Sequence, residues 1–220
     1  LAIYQRHPEL PFYSLMPNET FHVDTGETNW HIDTDPRGFR FDPNTQKQSS
    51  CIAMWLGDSY AFGQGVNYDE SLIGQIDEKW PDIENMNAAV GGYGPTQYRR
   101  VLEYQLEQGQ VPDLLFVATF IGNDFHDTQW SKDSVVKDGI VGNERDLKSM
   151  LKQNLHLYRL ASSVYHQVTS YDPARYAAVA NQLASPEAWD QDFLLEALTR
   201  YESEMKRITE LAEERDIPLA

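Results

Sequence analysis

Three candidate strands, each ended by a glycine turn, constrain the fold of this chain more than any other feature, and the first and third of them are apolar runs. They are residues 51–56 before Gly57, residues 83–90 before Gly91-Gly92, and residues 114–121 before Gly122. Short continuous apolar runs bounded by turns are typical of strands that are buried on both faces of a parallel sheet. The segments between them have helical spacing, so the alternation predicts an α/β fold with a parallel sheet.

Helical spacing also recurs in the second half of the chain and marks out the domain organisation. The sequence predicts helices over residues 70–80, 96–108, 147–158, 173–184 and 194–211, and the opening of a further strand at Ile217. Residues 1–48 contain five prolines without sustained periodicity, which predicts an irregular N-terminal extension. Residues 49–220 then form one α/β domain, with a helical insert at about 125–192.

Composition narrows the classes of partner. The chain has 220 residues, with 34 acidic and 18 basic side chains and a formal net charge of −16. A strongly acidic surface repels nucleic-acid phosphate and anionic lipid, so neither is an expected partner. Cys51 is the single cysteine, which excludes an intrachain disulfide, and no two histidines have the spacing of a metal site. We therefore expect neither a cofactor nor a metal.

The polar residues in the three turns are the candidates for chemistry, because ligands of parallel sheets bind at the carboxyl ends of the strands. Ser59 follows the first strand and is either a nucleophile or the N-cap of the next helix. Asn123 follows the third strand and is either an oxyanion donor or an ordinary turn residue. The glycines at 91 and 92 would let a backbone N–H approach a reacting oxygen closely.

Glycine-containing turns after strands are also typical of nucleotide-binding loops, but the sequence does not match the motifs of those loops. No G-x-x-x-x-G-K-[ST] segment occurs, and Gln97 stands where G-x-G-x-x-G needs its third glycine. Ser59 is not in a G-x-S-x-G elbow either, because Ala61 replaces the last glycine.

The order of the three turns gives the sequence a family resemblance. Residues 56–63 read Leu-Gly-Asp-Ser-Tyr-Ala-Phe-Gly, residues 87–97 read Asn-Ala-Ala-Val-Gly-Gly-Tyr-Gly-Pro-Thr-Gln, and residues 121–124 read Ile-Gly-Asn-Asp. In this order they resemble the blocks of the SGNH, or GDSL-type, hydrolase family. The segment Pro36-Arg37-Gly38-Phe39-Arg40 also resembles a lead-in found in larger, exported or membrane-anchored bacterial members. Motif resemblance covers residues 36–124.

The resemblance implies a fold, an activity and a set of site residues. The implied fold is a flavodoxin-like three-layer α/β/α sandwich with a parallel sheet. Ser59 would be the nucleophile of a serine esterase, and the oxyanion hole would use the backbone N–H groups of Ser59 and Gly92 with the side chain of Asn123. The substrate would be a small acyl ester of a carbohydrate or a lipid. An exported or membrane-anchored protein is implied, with any anchor outside this chain.

The catalytic base is the part of the family pattern that this sequence lacks. The family's last block is D-x-x-H, and none of the six histidines has an aspartate three positions before it. We therefore expect the base beyond Ala220. A histidine of this chain, such as His126, is the other source of a base. Two alternatives stay open: a sugar O-acyltransferase that uses the same residues, and a non-catalytic binding or structural domain. The insert at about 125–192 is placed to form a wall or lid over Ser59.

Overall fold

The structure is a computed structural model, which describes residues 2–24, 28–44, 49–120, 134–143, 151, 154–155 and 191–220. The strands in these ranges are β1 (Tyr4–Arg6), β2 (Tyr13–Leu15), β3 (Thr20–Asp24), β4 (Asn29–Thr34), β5 (Arg40–Phe41), β6 (Cys51–Gly57), β7 (Ile83–Asn87), β8 (Leu114–Ala118), β9 (Ser134–Lys137) and β10 (Ile140–Asn143). The helices are α1 (Ser59–Phe62), a 3-10 turn (Tyr68–Glu70), α2 (Leu72–Lys79), α3 (Pro95–Glu107) and α4 (Gln191–Glu213).

The central sheet has six strands in the order β3-β4-β5-β7-β6-β8. Strand β6 is parallel to both of its neighbours, β7 and β8, as the sequence predicts. The predicted parallel pairing is therefore confirmed for β6, β7 and β8. The other pairings in this sheet, which involve the N-terminal strands β3, β4 and β5, are antiparallel, so the sheet as a whole is mixed. Leu219 forms a parallel bridge to Leu115 of β8, which places the predicted strand opening beside that strand.

The N-terminal segment is not irregular, contrary to the sequence prediction. Its described residues form five strands, and β3, β4 and β5 extend the central sheet across the expected domain boundary at residue 48. In strand β4, Trp30 and Ile32 are buried, whereas Asn29 and His31, the residues that precede each of them, are exposed. This two-residue alternation is the pattern of a half-buried strand. The strands are short and lie between prolines, so the prolines alone predict an irregular segment and the alternation is missed.

Each face of the central sheet packs against helices. On one face, Met54 of β6 lies beside Leu115 of β8 and joins a core that includes Leu102 of α3 and Ile208 of α4. On the other face, the ring of Trp55 stacks on Phe116 with centroids 4.1 Å apart, next to residues of the 3-10 turn and α2. Successive β6 side chains point to opposite faces, so both faces of this strand are covered.

The helices predicted at 70–80, 96–108 and 194–211 are confirmed as α2, α3 and α4. The insert at about 125–192 is predicted to be helical, and this is wrong for its described residues 134–143, where β9 and β10 pair as an antiparallel hairpin. Helix α3 begins after Gly94 with Pro95 in its first turn and ends before Gly109, whose φ is 77°. Helix α4 is anchored on α3 by an ion pair between Arg99 and Glu204. The predicted helices at 147–158 and 173–184 lie almost entirely outside the described residues, as does most of the insert. Within the described ranges, no helix has the length and apolar character needed to cross a membrane.

Candidate active site around Ser59

Strand β6 delivers Ser59 to the carboxyl end of the sheet through a turn that requires glycine. A Cβ at position 57 would lie 2.5 Å from the Cβ of Ala61 and 3.0 Å from the carbonyl oxygen of Ala118. Only glycine therefore lets α1 start so close to β8. The N-cap of α1 is the buried Asp58, whose Oδ1 accepts a hydrogen bond from the Tyr60 N–H at 2.9 Å. Capping thus falls to Asp58, and the partly exposed Ser59 is not the cap.

The fully buried Arg40 fixes the loop that follows α1. Its guanidinium donates hydrogen bonds to the carbonyl oxygens of Phe62 (2.9 Å), Gly63 (2.6 Å) and Val66 (2.7 Å), and also to that of His31 (3.1 Å). Burial lowers its pKa to about 10, which leaves the group cationic at neutral pH. Because five fixed donors suit several carbonyls at once, Arg40 determines the course of the chain directly after Ser59.

The sequence singled out the segment that contains Arg40 but not the role of Arg40 itself. The guanidinium also lies 5.3 Å from the ring centroid of Trp30 and 5.2 Å from that of Phe62. The signal in the sequence is an arginine between Phe39 and Phe41, since a charged residue that is buried among aromatic residues needs several partners.

The loops that follow β6 and β7 are joined by hydrogen bonds. The Val90 N–H donates to the Gly57 carbonyl at 3.2 Å, and the Ala88 N–H donates to the Trp55 carbonyl at 3.0 Å. The fully buried Asn87 side chain donates to the carbonyl of Ala61 at 3.3 Å. These bonds hold the second glycine turn against the turn that carries Ser59, as expected for the carboxyl ends of adjacent parallel strands.

Of the two glycines in the second turn, Gly91 is the one whose Cα faces Ser59. A Cβ at position 91 would lie 3.8 Å from the Cβ of Ser59, whereas a Cβ at position 92 would lie 2.6 Å from the Tyr13 hydroxyl. Gly92 has a φ of 80°, so glycine is needed there for backbone conformation as well as for space. The N–H of Gly92 adjoins Gly91 along the chain, and its role as an oxyanion donor stays a prediction.

Three backbone N–H groups near Ser59 have no hydrogen-bond acceptor among the described residues. Within the described part of the chain, the N–H groups of Ser59, Gly91 and Gly92 donate no hydrogen bond, whereas the N–H groups of Val90 and Tyr93 on either side do. Unpaired N–H groups beside a hydroxyl are the elements of an oxyanion hole.

The third turn lies at the limit of what the structure describes. Asn123 is outside the described residues, so its predicted role as oxyanion donor stays a prediction. Phe120, at the end of the described range, stacks on the ring of Tyr60 with centroids 4.3 Å apart. The chain that leads to Asn123 therefore passes beside the residue that follows Ser59.

The N-terminal hairpin of β1 and β2 also reaches the site, which sequence reasoning missed. The Tyr13 hydroxyl donates to the Gly91 carbonyl at 2.9 Å, and the Tyr4 ring packs edge-on against Tyr13 at 5.1 Å. Tyr93 in turn donates to the carbonyl of Tyr13. Phe12 and Tyr13 are buried in the core, and nothing in the sequence shows which N-terminal aromatic residues border Ser59.

An open cleft of about 430 Å³ lies beside Ser59. It is lined by Ser59, Tyr60, Gly63, Gln64, Val66, Glu70, Ser71 and Leu72. Tyr60 is 65% exposed and Leu72 is 53% exposed, so apolar surface borders the cleft. The volume lies within the range of small-molecule sites.

None of the described histidines, His7, His22 and His31, lines this cleft. His7 accepts backbone N–H bonds in the β1–β2 turn, His22 pairs with His31 between β3 and β4, and His31 lies 3.5 Å from Asp33. His126, His156 and His166 are outside the described residues. The source of a catalytic base therefore stays a prediction. Among the described residues, no three His, Cys, Asp or Glu side chains cluster as metal ligands do.

Comparisons with known proteins give distant structural similarity. No protein-family model and no curated protein sequence matches the chain. AlinE4, described as an SGNH-hydrolase family esterase, is 17% identical, with a TM-score of 0.34 and coverage of 80% of this chain and 77% of that one. TesA is 14% identical, with a TM-score of 0.31 and coverage of 73% and 99%.

A variant of Axe2, an acetyl xylan esterase from Geobacillus stearothermophilus, is 14% identical, with a TM-score of 0.30 and coverage of 78% and 76%. Similarity at this level does not assign the chain to a family. The case for a function therefore lies in the residues around Ser59.

Proposed function

We propose that this protein is a serine-dependent hydrolase of small acyl esters, built as a flavodoxin-like α/β/α sandwich of the SGNH type. The observation that supports the proposal is that Ser59 lies beside the Gly91-Gly92 turn. This arrangement brings together a partly exposed hydroxyl, an open cleft and backbone N–H groups without an acceptor among the described residues, at the carboxyl end of a parallel strand. Nucleophilic serine hydrolases need these three things, together with a base.

In the proposed reaction the Ser59 oxygen attacks the acyl carbon of the ester. The Oγ–H proton passes to the base, the bond from the acyl carbon to the alcohol oxygen breaks, and the alcohol leaves with that proton. Water then repeats the sequence on the acyl-Ser59 intermediate and releases the carboxylic acid. The N–H groups of Ser59 and Gly92 and the side chain of Asn123 are proposed to stabilise the oxyanion; loss of one such donor costs about 3–4 kcal/mol of transition-state stabilisation.

The proposed substrate is an ester of a short acyl group, such as an acetyl group on a carbohydrate or a lipid. An open cleft with a carboxylate, Glu70, and the exposed rings and chains of Tyr60 and Leu72 suits a neutral alcohol portion better than an anionic one. If a sugar hydroxyl attacked the acyl-Ser59 intermediate in place of water, the product would be an acylated sugar and the reaction would be acyl transfer.

The test is hydrolysis of para-nitrophenyl acetate by the full-length protein and its Ser59→Ala variant. We expect kcat/KM of the variant to fall by about a thousandfold or more, since the covalent route is lost. Ser203→Ala, on the exposed face of α4, is the matched control and should keep wild-type activity. Equal activity of Ser59→Ala and wild type would refute the proposal.

A second arm separates hydrolysis from acyl transfer. Acetate release is measured with and without a neutral sugar acceptor, and the acceptor is analysed for new acetyl esters. A hydrolase releases the same acetate in both cases. Acetylated acceptor at the expense of acetate would identify a transferase that uses the same serine.

A further inference from the structure

A second cleft, of about 640 Å³, lies between the β1–β2 hairpin, the last turns of α3 and the loop that follows β4. Its lining includes Ser14 of β2 and Gln105 of α3. Among the described residues, none lines both this cleft and the one beside Ser59. Its volume is that of a small-molecule site, and the reaction proposed for Ser59 gives it no role.

Ser14 and Gln105 are polar side chains of this cleft that are more than nine-tenths buried. Gln105 is 6% exposed and Ser14 is 9% exposed. Within the described ranges, neither the Gln105 amide nor the Ser14 hydroxyl has a hydrogen-bond partner, and neither is fully enclosed, so both open on the cleft. Buried amide and hydroxyl groups are normally hydrogen-bonded. These two are therefore available to a ligand that enters the cleft.

The charged groups of the cleft already have partners. The Asp35 carboxylate accepts hydrogen bonds from the Arg37 guanidinium at 2.6 Å and from the backbone N–H groups of Arg37 and Phe39 at 2.8 and 2.9 Å. His7 accepts two backbone N–H groups at Nδ1, which requires a neutral ring with its hydrogen on Nε2. A neutral ligand fits this lining better than an ion, because an ion would be desolvated without a counter-charge.

Amide groups supply most of the remaining polar surface. Besides Gln105, the glutamines that line the cleft are Gln5, Gln108 and Gln110. An amide both donates and accepts hydrogen bonds, as a hydroxyl group does, so this lining suits a ligand with many hydroxyl groups. Tyr104 adds aromatic surface, and its ring packs nearly perpendicular to that of His7 with centroids 4.9 Å apart. Sugar rings combine hydroxyl groups at their edges with C–H groups on their faces.

We propose that this cleft binds a neutral carbohydrate chain, at a site separate from the cleft beside Ser59. The buried Gln105 and Ser14 bind sugar hydroxyl groups at its inner end, the exposed Gln108 and Gln110 bind them at its rim, and Tyr104 packs against a sugar ring. The inference goes beyond the proposed function, since binding needs no nucleophile.

Isothermal titration calorimetry of the full-length protein tests the site. The ligands are cellotetraose, xylotetraose and maltotetraose, with tetragalacturonate as the anionic comparison. We expect at least one neutral tetrasaccharide to bind with a Kd of about 1 mM or lower. Tetragalacturonate should bind at least about tenfold more weakly, because the protein has a net charge of −16 and Arg37 is already paired.

Gln105→Met keeps the size of the side chain and removes the amide. We expect its Kd to rise by about tenfold while its Tm stays the same or rises, because the amide has no partner among the described residues to lose. Gln97→Met on the same helix is the matched comparison. Gln97 is 1% exposed and accepts the Gly94 N–H at 3.2 Å, outside the cleft, so this variant should lose about 2 °C or more in Tm and keep the Kd.

The outcomes separate this proposal from the one for Ser59, since titration requires no catalysis. The carbohydrate site is overturned if none of the three neutral tetrasaccharides binds, or if tetragalacturonate binds as tightly as they do. It is also overturned if Gln105→Met and Ser14→Ala both bind like wild type, or if Gln105→Met loses as much Tm as Gln97→Met. Esterase assays of Ser59→Ala decide the proposed function independently of these results.

Discussion

At the scale of single residues, the adjacent Gly91 and Gly92 serve different purposes. Gly91→Ala places a methyl group in the space between Ser59, Gln64 and Tyr4, with contacts of 3.1–3.8 Å that the flexible Gln64 side chain can relieve. We expect this variant to fold with little change in the free energy of unfolding and to lose most esterase activity. Urea denaturation and kcat/KM for para-nitrophenyl acetate measure the two effects.

Gly92→Ala should behave in the opposite way. Its Cβ would lie 2.6 Å from the Tyr13 hydroxyl, on a backbone with a φ of 80°. The strain and the overlap together should lower the free energy of unfolding by about 2 kcal/mol or more. A fully stable Gly92→Ala, or a Gly91→Ala that keeps wild-type kcat/KM, would contradict this division of roles.

Arg40 is the single residue on which the site's geometry depends most. Arg40→Lys keeps the charge, but one ammonium group cannot reach four carbonyl groups in a fixed fork. We expect the free energy of unfolding to fall by at least about 2 kcal/mol, because buried carbonyls lose their donor. Arg200→Lys on the exposed side of α4 is the control and should change stability by less than about 0.5 kcal/mol. Equal stability of the two variants would show that Arg40 is not needed to hold the loop.

At the scale of elements, the β1–β2 hairpin has a built-in pH dependence. His7 Nδ1 accepts the N–H groups of Leu10 (2.9 Å) and Glu9 (3.2 Å), and burial lowers the pKa of His7, partly offset by Glu9. The unfolded chain thus takes up the proton first as the pH falls. The stability contributed by neutral His7 is present above its ordinary pKa of about 6.5 and is lost as the pH falls below that value.

His7→Asn tests this dependence, since an asparagine oxygen can accept the same N–H groups but does not titrate. The free energy of unfolding is measured for both proteins at about pH 7.5 and about pH 5. We expect wild type to lose more stability than His7→Asn over this interval. A larger loss in the variant would mean that the protonated imidazole is favoured in the folded hairpin.

The elements that carry Ser59 and the second turn are the ones the sequence defines best. Strands β6 and β8 and helices α2, α3 and α4 follow directly from apolar periodicity and from glycine or proline near their ends, whereas β7 is marked mainly by the Gly91-Gly92 turn that comes after it. Strands β1 to β5 do not, because they are short and their partners are distant in sequence. The pairing of Arg40 with Asn87 joins residues far apart in the chain, and no local pattern specifies such a contact.

The same limit applies to the candidate site. Ser59 and the Gly91-Gly92 turn could be predicted because parallel strands bring their carboxyl ends together. The choice between the two glycines depends on the course of the loop at residues 88–94, between β7 and α3, and the approach of Tyr4 depends on how a separate hairpin packs. Both are set by tertiary contacts, such as the hydrogen bond from Tyr13 to Gly91, that leave no trace in residue spacing.

At the scale of the whole molecule, residues 2–44 are part of the fold rather than an appendage. They supply three strands of the central sheet, the Arg40 anchor and buried aromatic rings such as Trp30. We expect the fragment 49–220 to lack a cooperative thermal transition, because β7 would expose an unpaired edge and the core would lose its N-terminal side. Circular dichroism of the fragment against the 220-residue chain measures this. A cooperative transition in the fragment would contradict this prediction and show that residues 49–220 fold as an independent domain.

The central claim for the whole molecule is that its fold makes one serine nucleophilic. The most direct measurement is treatment of the native full-length protein with a fluorophosphonate, followed by peptide mapping by mass spectrometry. The account predicts one phosphonylated site, Ser59, and no modification after heat denaturation or in Ser59→Ala. Modification of another serine would contradict it. So would the absence of any modification of the folded protein under conditions in which the same reagent modifies a known serine esterase.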